Sequence, residues 1–367
     1  MEFKGVFTAH PLVPAQYGIM SVARLTEFLN EHETAVDPEE KWLRGFSHVF
    51  ETKPTINLLS NDGSIAHVIS NNDGARRYID VKPFFIETVD FASTFGLLGE
   101  DRYERVRHQL EAGTQKAVEH EFYHGYSAIA NGNSNQYLTK ASTAQIIELG
   151  ALKQMQEGLG YLEYALAQSP LGEQGVIHMT RDMAALLGSQ WILERPSPNG
   201  KPHLETTNGT PIVIGSGYDG SGPYTTIATT AISGSNVATI TTTTPHGLSM
   251  NDPVTIENET AAYFNGTWTV TTVANSTTFT FALTHTSQGQ TAGTGNAFFS
   301  PDRDTKWMWG TGIIDVNLGD IEIVNMAESD GYDSVGNKND IRIKAYRPAS
   351  VHHDPAMHYG VKVQVHQ

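Results

Sequence analysis

An α+β fold interrupted by a small all-β module is what the 367-residue sequence predicts, and three observations predict it. Residues 100–125 carry apolar side chains at helical spacing, so one long helix is expected there. Segments rich in β-branched and aromatic residues flank it on both sides. Near residue 228 the composition changes: residues 228–296 hold 20 threonines, three acids (Asp252, Glu257, Glu259) and neither lysine nor arginine, which marks a separate unit.

Taken in order, residues 17–33 space Ile19, Val22, Leu25, Phe28 and Leu29 as one face of a short amphipathic helix behind a proline-marked arm. From Phe50 to Val89, β-prone segments are broken by NDG at 61–63 and again at 72–74. These are turn signals, and they predict a two-stranded excursion of about 30 residues returning through YIDVKPFFIETVDF. The long helix Glu100 to Gly125 starts with acids, places Tyr103, Val106, Leu110, Val118 and Phe122 near one stripe, and stops at glycine. Ser142 is the expected cap of a further helical region reaching Gln168, where Ser169-Pro170 stops it, and 175–190 reads as a strand running into a helix.

Within the threonine-rich unit, threonine alternates with the apolar sets Val254/Ile256, Trp268/Val270 and Phe279/Phe281/Leu283. Such alternation predicts inward-facing rows of a small barrel or sandwich, with turns at 246–252 and 264–266. Strand-like segments of ordinary charge return after it (KWMWGTGIIDV, DIRIKAYRP, YGVKVQV), so the unit interrupts a parent domain. Insertions of this kind are tolerated at loop tips whose two ends lie close together.

Composition excludes several classes. A formal net charge of −16 argues against a surface that seeks nucleic-acid phosphates. With no cysteine, neither disulfides nor thiolate zinc sites contribute. No apolar run reaches membrane-spanning length, and the first 20 residues lack the basic and apolar regions of a secretory signal. The four sequons at Asn208, Asn258, Asn265 and Asn275 are therefore read as unglycosylated.

Three motifs promise chemistry. HEFYH at 120–124 matches H-E-x-x-H, in which His120 and His124 would share a zinc ion one helical turn apart and Glu121 would act as base. Its extended form fails at Ser127 and Ala130, and no third ligand follows, so the histidines are read as packing at a helix end. GSGYDG at 215–220 matches G-x-G-x-x-G, but the following SGPYTTIATTAISG contains Pro223 and β-branched residues instead of a helix. Without that helix N-terminus the phosphate cradle is missing, and a glycine-rich linker is the expected reading. HHDPAMH at 352–358 is read as surface histidines before a final strand. No catalytic, cofactor-binding or metal residue is assigned, and no cofactor is expected.

The order of elements resembles the tailed-phage major capsid protein family, in particular the shell proteins of actinobacterial phages. The stretches that carry the resemblance are YIDVKPFFIETVDFASTFG leading into EDRYERVRHQLEAGTQKAVEHEF, similar to the extended loop and spine helix of the peripheral domain. GVIHMTRDMAALL, HLETTNGTPIVIGSGY and KWMWGTGIIDV are similar to the axial domain, and NDIRIKAYRPASVHHDPAMHYGVKVQV to the closing segment. The resemblance covers about residues 1–224 and 297–367. It implies an arm and helix over 1–49, an extended loop over 50–82, a peripheral domain with the spine helix over 83–140, and the first part of the axial domain over 141–227. The inserted all-β domain, immunoglobulin-like or a small barrel, occupies 228–296 and is expected to project outward, and 297–367 supplies the return strands.

What the resemblance implies for function is a non-enzymatic virion protein, assembled in the host cytoplasm. Its copies would form hexamers and pentamers of an icosahedral shell around double-stranded DNA, with no sequence-specific DNA contact and no membrane. A separate scaffolding protein is expected because no scaffolding segment precedes the arm, and portal and decoration proteins are further partners. Some members cross-link a loop lysine to a neighbour; here the loop offers Lys53 and Lys82, and no cross-link is expected. The alternatives are an encapsulin-like compartment shell, which shares the fold, and a zinc peptidase using His120, Glu121 and His124.

Overall fold

The computed structural model describes residues 16–27, 46–50, 56–59, 65–70, 77–93, 102–168, 175–196, 202–234, 236–326, 332–333 and 338–366. Its organising element is the long strand Lys338–His353, which pairs antiparallel with Phe84–Ser93, Glu322–Met326 and Ile314–Leu318. Alternate residues of that strand, Ile343, Ala345, Ala349 and Val351, are buried, giving the sheet an apolar face. The long helix Arg102–His124 lies against this face and contributes Val106, Leu110, Val118 and Phe122 to the core it shares with Phe84, Ile86, Ile343 and Val351. Each such side chain contributes roughly 1.5–3 kcal/mol on burial. Tyr103, expected in the same stripe, is exposed.

The amphipathic helix expected over 17–33 is not formed in residues 17–27, and the remainder of that range, with Phe28 and Leu29, lies outside the described residues. Tyr17 takes a left-handed φ of 61°, Ile19–Ser21 makes a single 3-10 turn, and Arg24–Glu27 is a strand pairing in parallel with Ile314–Leu318. The sheet edge offers backbone hydrogen bonds that a marginal helix this short cannot match. Arg24 adds two bonds to Asp315, Nε to Oδ1 at 2.7 Å and Nη2 to Oδ2 at 2.9 Å.

The excursion is built of two nested antiparallel pairs, Phe46–Phe50 with Arg77–Val81 and Ile56–Leu59 with Ile65–Ser70. Both NDG turns lie outside the described residues. Among the described residues, each of these strands pairs only with its hairpin mate.

A second sheet runs in the order Ile192–Pro196, Pro202–Thr206, Pro211–Val213, Val176–His178, Thr305–Thr311, His358–Gln364 and Gln145–Ile146, with Lys153–Gln154 also on His358–Gln364. The helix Met155–Ala167 covers it with Leu159, Leu162 and Leu166 packed on Met308, Val361 and Val363. This helix begins well after the expected cap at Ser142. Glu148, Leu149 and Gly150 are consecutive left-handed residues (φ 52°, 55° and 82°), which no helix accommodates, and the flanking residues are zipped onto the last strand instead. As expected for 175–190, Val176–His178 leads into the helix Arg181–Leu187.

The threonine-rich segment forms its own sheet from Tyr224–Ser233 to Asn296–Phe299. Its pairing closes on itself. Tyr224–Ser233 pairs with Asn296–Phe299 through its first residues and with Val237–Thr242 through the rest, and Gly266–Asn275 bridges Pro253–Glu257 and Thr278–Ala282. The result is a small barrel with Gln288–Ala292 added outside the ring. Val254, Ile256, Val270, Phe279, Phe281 and Leu283 fill its interior as the alternation predicts. Trp268 is only half-buried; its Nε1 donates to the Phe264 carbonyl at 2.7 Å, and its ring stacks on Phe281.

Candidate functional site

The HEFYH segment is the last turn of the long helix, and helical periodicity divides its side chains between different faces. His120 and His124 share one face with stacked rings 6.1 Å apart, and His124 Nε2 lies 3.6 Å from Asp219 Oδ2. Burial holds both imidazoles below the usual histidine pKa, opposed for His124 by the Asp219 charge. Phe122 and Tyr123 turn into the core.

Glu121, the would-be base, is engaged elsewhere. The helix ends at Gly125, whose φ of 65° reverses the chain into the short helix Tyr126–Asn131, and Gly125 has no side chain with which to cap it. Glu121 supplies the cap from the preceding helix: Oε2 accepts the Ser127 N–H at 2.7 Å and Oε1 the Ala128 N–H at 3.0 Å. Burial raises its pKa, and these two donors oppose the rise. Among the described residues no three histidine, aspartate or glutamate side chains converge as a metal site. Glu121→Ala is expected to cost about 1–2 kcal/mol through the lost cap and to leave the protein's zinc content unchanged. Thermal unfolding and metal analysis check this; unaltered stability together with loss of a bound zinc ion would sink the capping assignment.

The glycines of GSGYDG serve close packing, and Gly217 approaches the backbone of that same helix. A Cβ on Gly217 would sit 2.9 Å from the His120 backbone nitrogen, and Gly220, at φ 92°, packs on the Lys306 side chain. The carboxylate of Glu119, fully buried, holds the loop: Oε2 accepts Ser216 N at 2.6 Å and Ser216 Oγ at 2.7 Å. Its Oε1 accepts Ile19 N at 3.0 Å and Gln115 Nε2 at 3.1 Å. One carboxylate thus ties together the amino-terminal turn, the long helix and the loop that leads into the barrel. No helix follows the glycines; Tyr224 starts a strand, so the residues present do not build a dinucleotide cradle.

The HHDPAMH histidines are not on the surface, contrary to the expectation from sequence. His352, His353 and His358 are buried, because they sit where Lys338–His353 turns into His358–Gln364 beneath the end of the long helix. Two features escaped sequence reasoning altogether. One is Glu119, whose partners lie about a hundred residues away on either side. The other is Lys362, buried on the last strand, whose Nζ donates to Gly247 O at 3.3 Å, Ser249 Oγ at 2.8 Å and Asp252 Oδ2 at 2.7 Å. Its burial lowers its pKa, and the Asp252 charge opposes that shift. The sequence signal for it was one lysine between two valines, Val361 and Val363, in the last strand.

No protein-family model matches the chain, and no curated protein matches it. Among solved structures the chain is similar to the capsid of an empty GTA particle (9% identity, 99% of this chain and 95% of that chain covered, TM-score 0.46). It is also similar to the holo-SrpI encapsulin complex from Synechococcus elongatus (8%, 100% and 94% covered, TM-score 0.44). A third is Gordonia phage Cozz (10%, 99% and 90% covered, TM-score 0.37).

Proposed function

We propose that the chain is a shell-forming structural protein, the major capsid protein of a tailed phage, in which copies associate as hexamers and pentamers around double-stranded DNA. The observation that carries this reading is the excursion between Phe46 and Val81. Its distal strands Ile56–Leu59 and Ile65–Ser70 pair only with each other among the described residues, and an isolated two-stranded hairpin is marginal in water. A neighbouring copy supplies the surface such a hairpin needs. The long helix packed on the central sheet agrees with the element order on which the sequence resemblance rests, whereas the strand Arg24–Glu27 stands where that order has a helix.

With a net charge of −16 the protein does not adhere to packaged DNA, and sequence-specific DNA contact is not part of this reading. The barrel would be an inserted module facing outward, a scaffolding protein would act separately, and no catalytic step is assigned to any residue. Among the described residues no helix is long and apolar enough to cross a membrane. Electron microscopy of the purified protein tests the proposal: closed shells are expected, and monomers or small oligomers alone would overturn it. DNA inside shells from infected cells separates a virion from a cargo compartment.

A further inference from the structure

Beneath the end of the long helix three imidazoles meet in the core. Phe122 stands between His178 and His353, with ring centroids at 5.3 and 5.7 Å, and His353 lies edge-on to His358 at 4.8 Å. His358 in turn packs on Trp309 at 5.6 Å. All three histidines are fully buried. They come from three strands, Val176–His178, Lys338–His353 and His358–Gln364, so they join both host sheets to the helix.

Their hydrogen bonds fit neutral rings. His358 donates from Nε2 to the Leu138 carbonyl at 2.8 Å, which leaves Nδ1 to accept from the Thr143 hydroxyl at 3.1 Å. His353 donates from Nδ1 to the Asp354 carbonyl at 3.1 Å, and its Nε2 has no hydrogen-bond partner among the described residues. His178 is held by Tyr218 Oη at 3.1 Å and Thr311 Oγ1 at 2.9 Å. The charged groups around the cluster are of both signs. Lys140, across from His353 and His358, is itself positive. Asp354 Oδ1 accepts the Ala356 N–H, Asp315 serves Arg24 with His352 3.6 Å away, and Tyr218 is kept neutral by burial.

We propose that His178, His353 and His358 form an acid-released latch that holds the turn between the last two strands against the end of the long helix. Above the ordinary histidine range all three rings are neutral and the latch is closed. Burial holds His178 and His353 well below the usual pKa and brings His358 down to about 4. Because the folded-state values are depressed, the stabilisation is fully present above the unfolded-state pKa of about 6.5 and is lost as pH falls from there towards about 4. Each ring that gains a proton only on opening raises the opening constant about tenfold per pH unit, and three rings acting together raise it about a thousandfold.

Hydrogen exchange read by mass spectrometry on the full chain between pH 7 and 4, corrected for intrinsic rates, tests the latch. The peptide covering 350–361 is expected to open with a slope of about two to three protons, while the histidine-free helix Met155–Ala167 stays protected. Parallel opening of that helix, or a slope below one proton, would overturn the proposal. In His353→Phe, which fills the site without a titrating group, the slope falls by about one proton, and an unchanged slope would equally overturn it. If that variant does not fold, the slope of the unaltered protein decides alone. The outcome is independent of whether the chain forms shells.

Discussion

Lys362→Met is expected to lower the unfolding free energy by about 3–5 kcal/mol. The lysine reaches from the host sheet into the loop 246–252 of the barrel, and its side chain is fully buried. Methionine matches the aliphatic stem but strands Asp252, whose Oδ2 would keep only the Ser249 N–H at 2.6 Å. Removing one partner of a buried pair costs more than replacing both, since the remaining charge stays in a low dielectric without its counterion. Lys362→Met with Asp252→Asn is therefore expected to recover part of the loss. Urea unfolding followed by tryptophan fluorescence reads it, because the Trp307 ring lies against Gly247, whose carbonyl Lys362 grips. A loss below about 1 kcal/mol would mean that solvent reaches the pair and that the barrel is not locked through it.

How far the fold could be read in advance depended on whether its cause was local. The rows Val254/Ile256 and Phe279/Phe281/Leu283 were legible because one face of each strand is core and the other solvent, which imposes a period of two. The helix over residues 100–125 was legible for the matching reason. Residues 17–27 misled because their helical spacing competes with a sheet edge contributed by Ile314–Leu318, some three hundred positions away. The delayed start of Met155–Ala167 was hidden because left-handed Glu148 and Leu149 carry no residue-type signature.

The same distinction separates what the candidate site gave away from what it concealed. HEFYH pointed to the correct helix end, but its glutamate is consumed by Ser127 and Ala128 once Gly125 reverses the chain. A buried neutral histidine and an exposed one are the same letter in a sequence, so His353 and His358 were misplaced. Their burial follows from long-range strand pairing, His353 opposite Ile314 and His358 opposite Thr311, which sequence spacing does not encode.

Glu119→Ala is expected to cost about 3–5 kcal/mol, since it leaves the Ile19 and Ser216 N–H groups without their acceptor at about 1–3 kcal/mol each and removes a charge-assisted bond from Ser216 Oγ. Glu119→Gln distinguishes this from simple loss of volume. An amide keeps one oxygen, so one of the two N–H groups retains an acceptor while the other faces an NH₂ donor, and an intermediate loss follows. Chemical denaturation gives the size of the effect, and hydrogen exchange gives its place: amides at 19–23 and 215–218 are expected to exchange at least about tenfold faster in Glu119→Ala, with the barrel strands unchanged. Equal acceleration throughout the chain would show that Glu119 supports the core generally instead of pinning two segments to the helix. If the pinning holds, the consequence for assembly is specific. Ile19 is buried under the carboxylate that also fixes the loop into the barrel, so losing Glu119 misplaces the arm and the barrel entry together while the host sheets persist. On the proposed capsid reading, the variant would then remain folded yet fail to close shells.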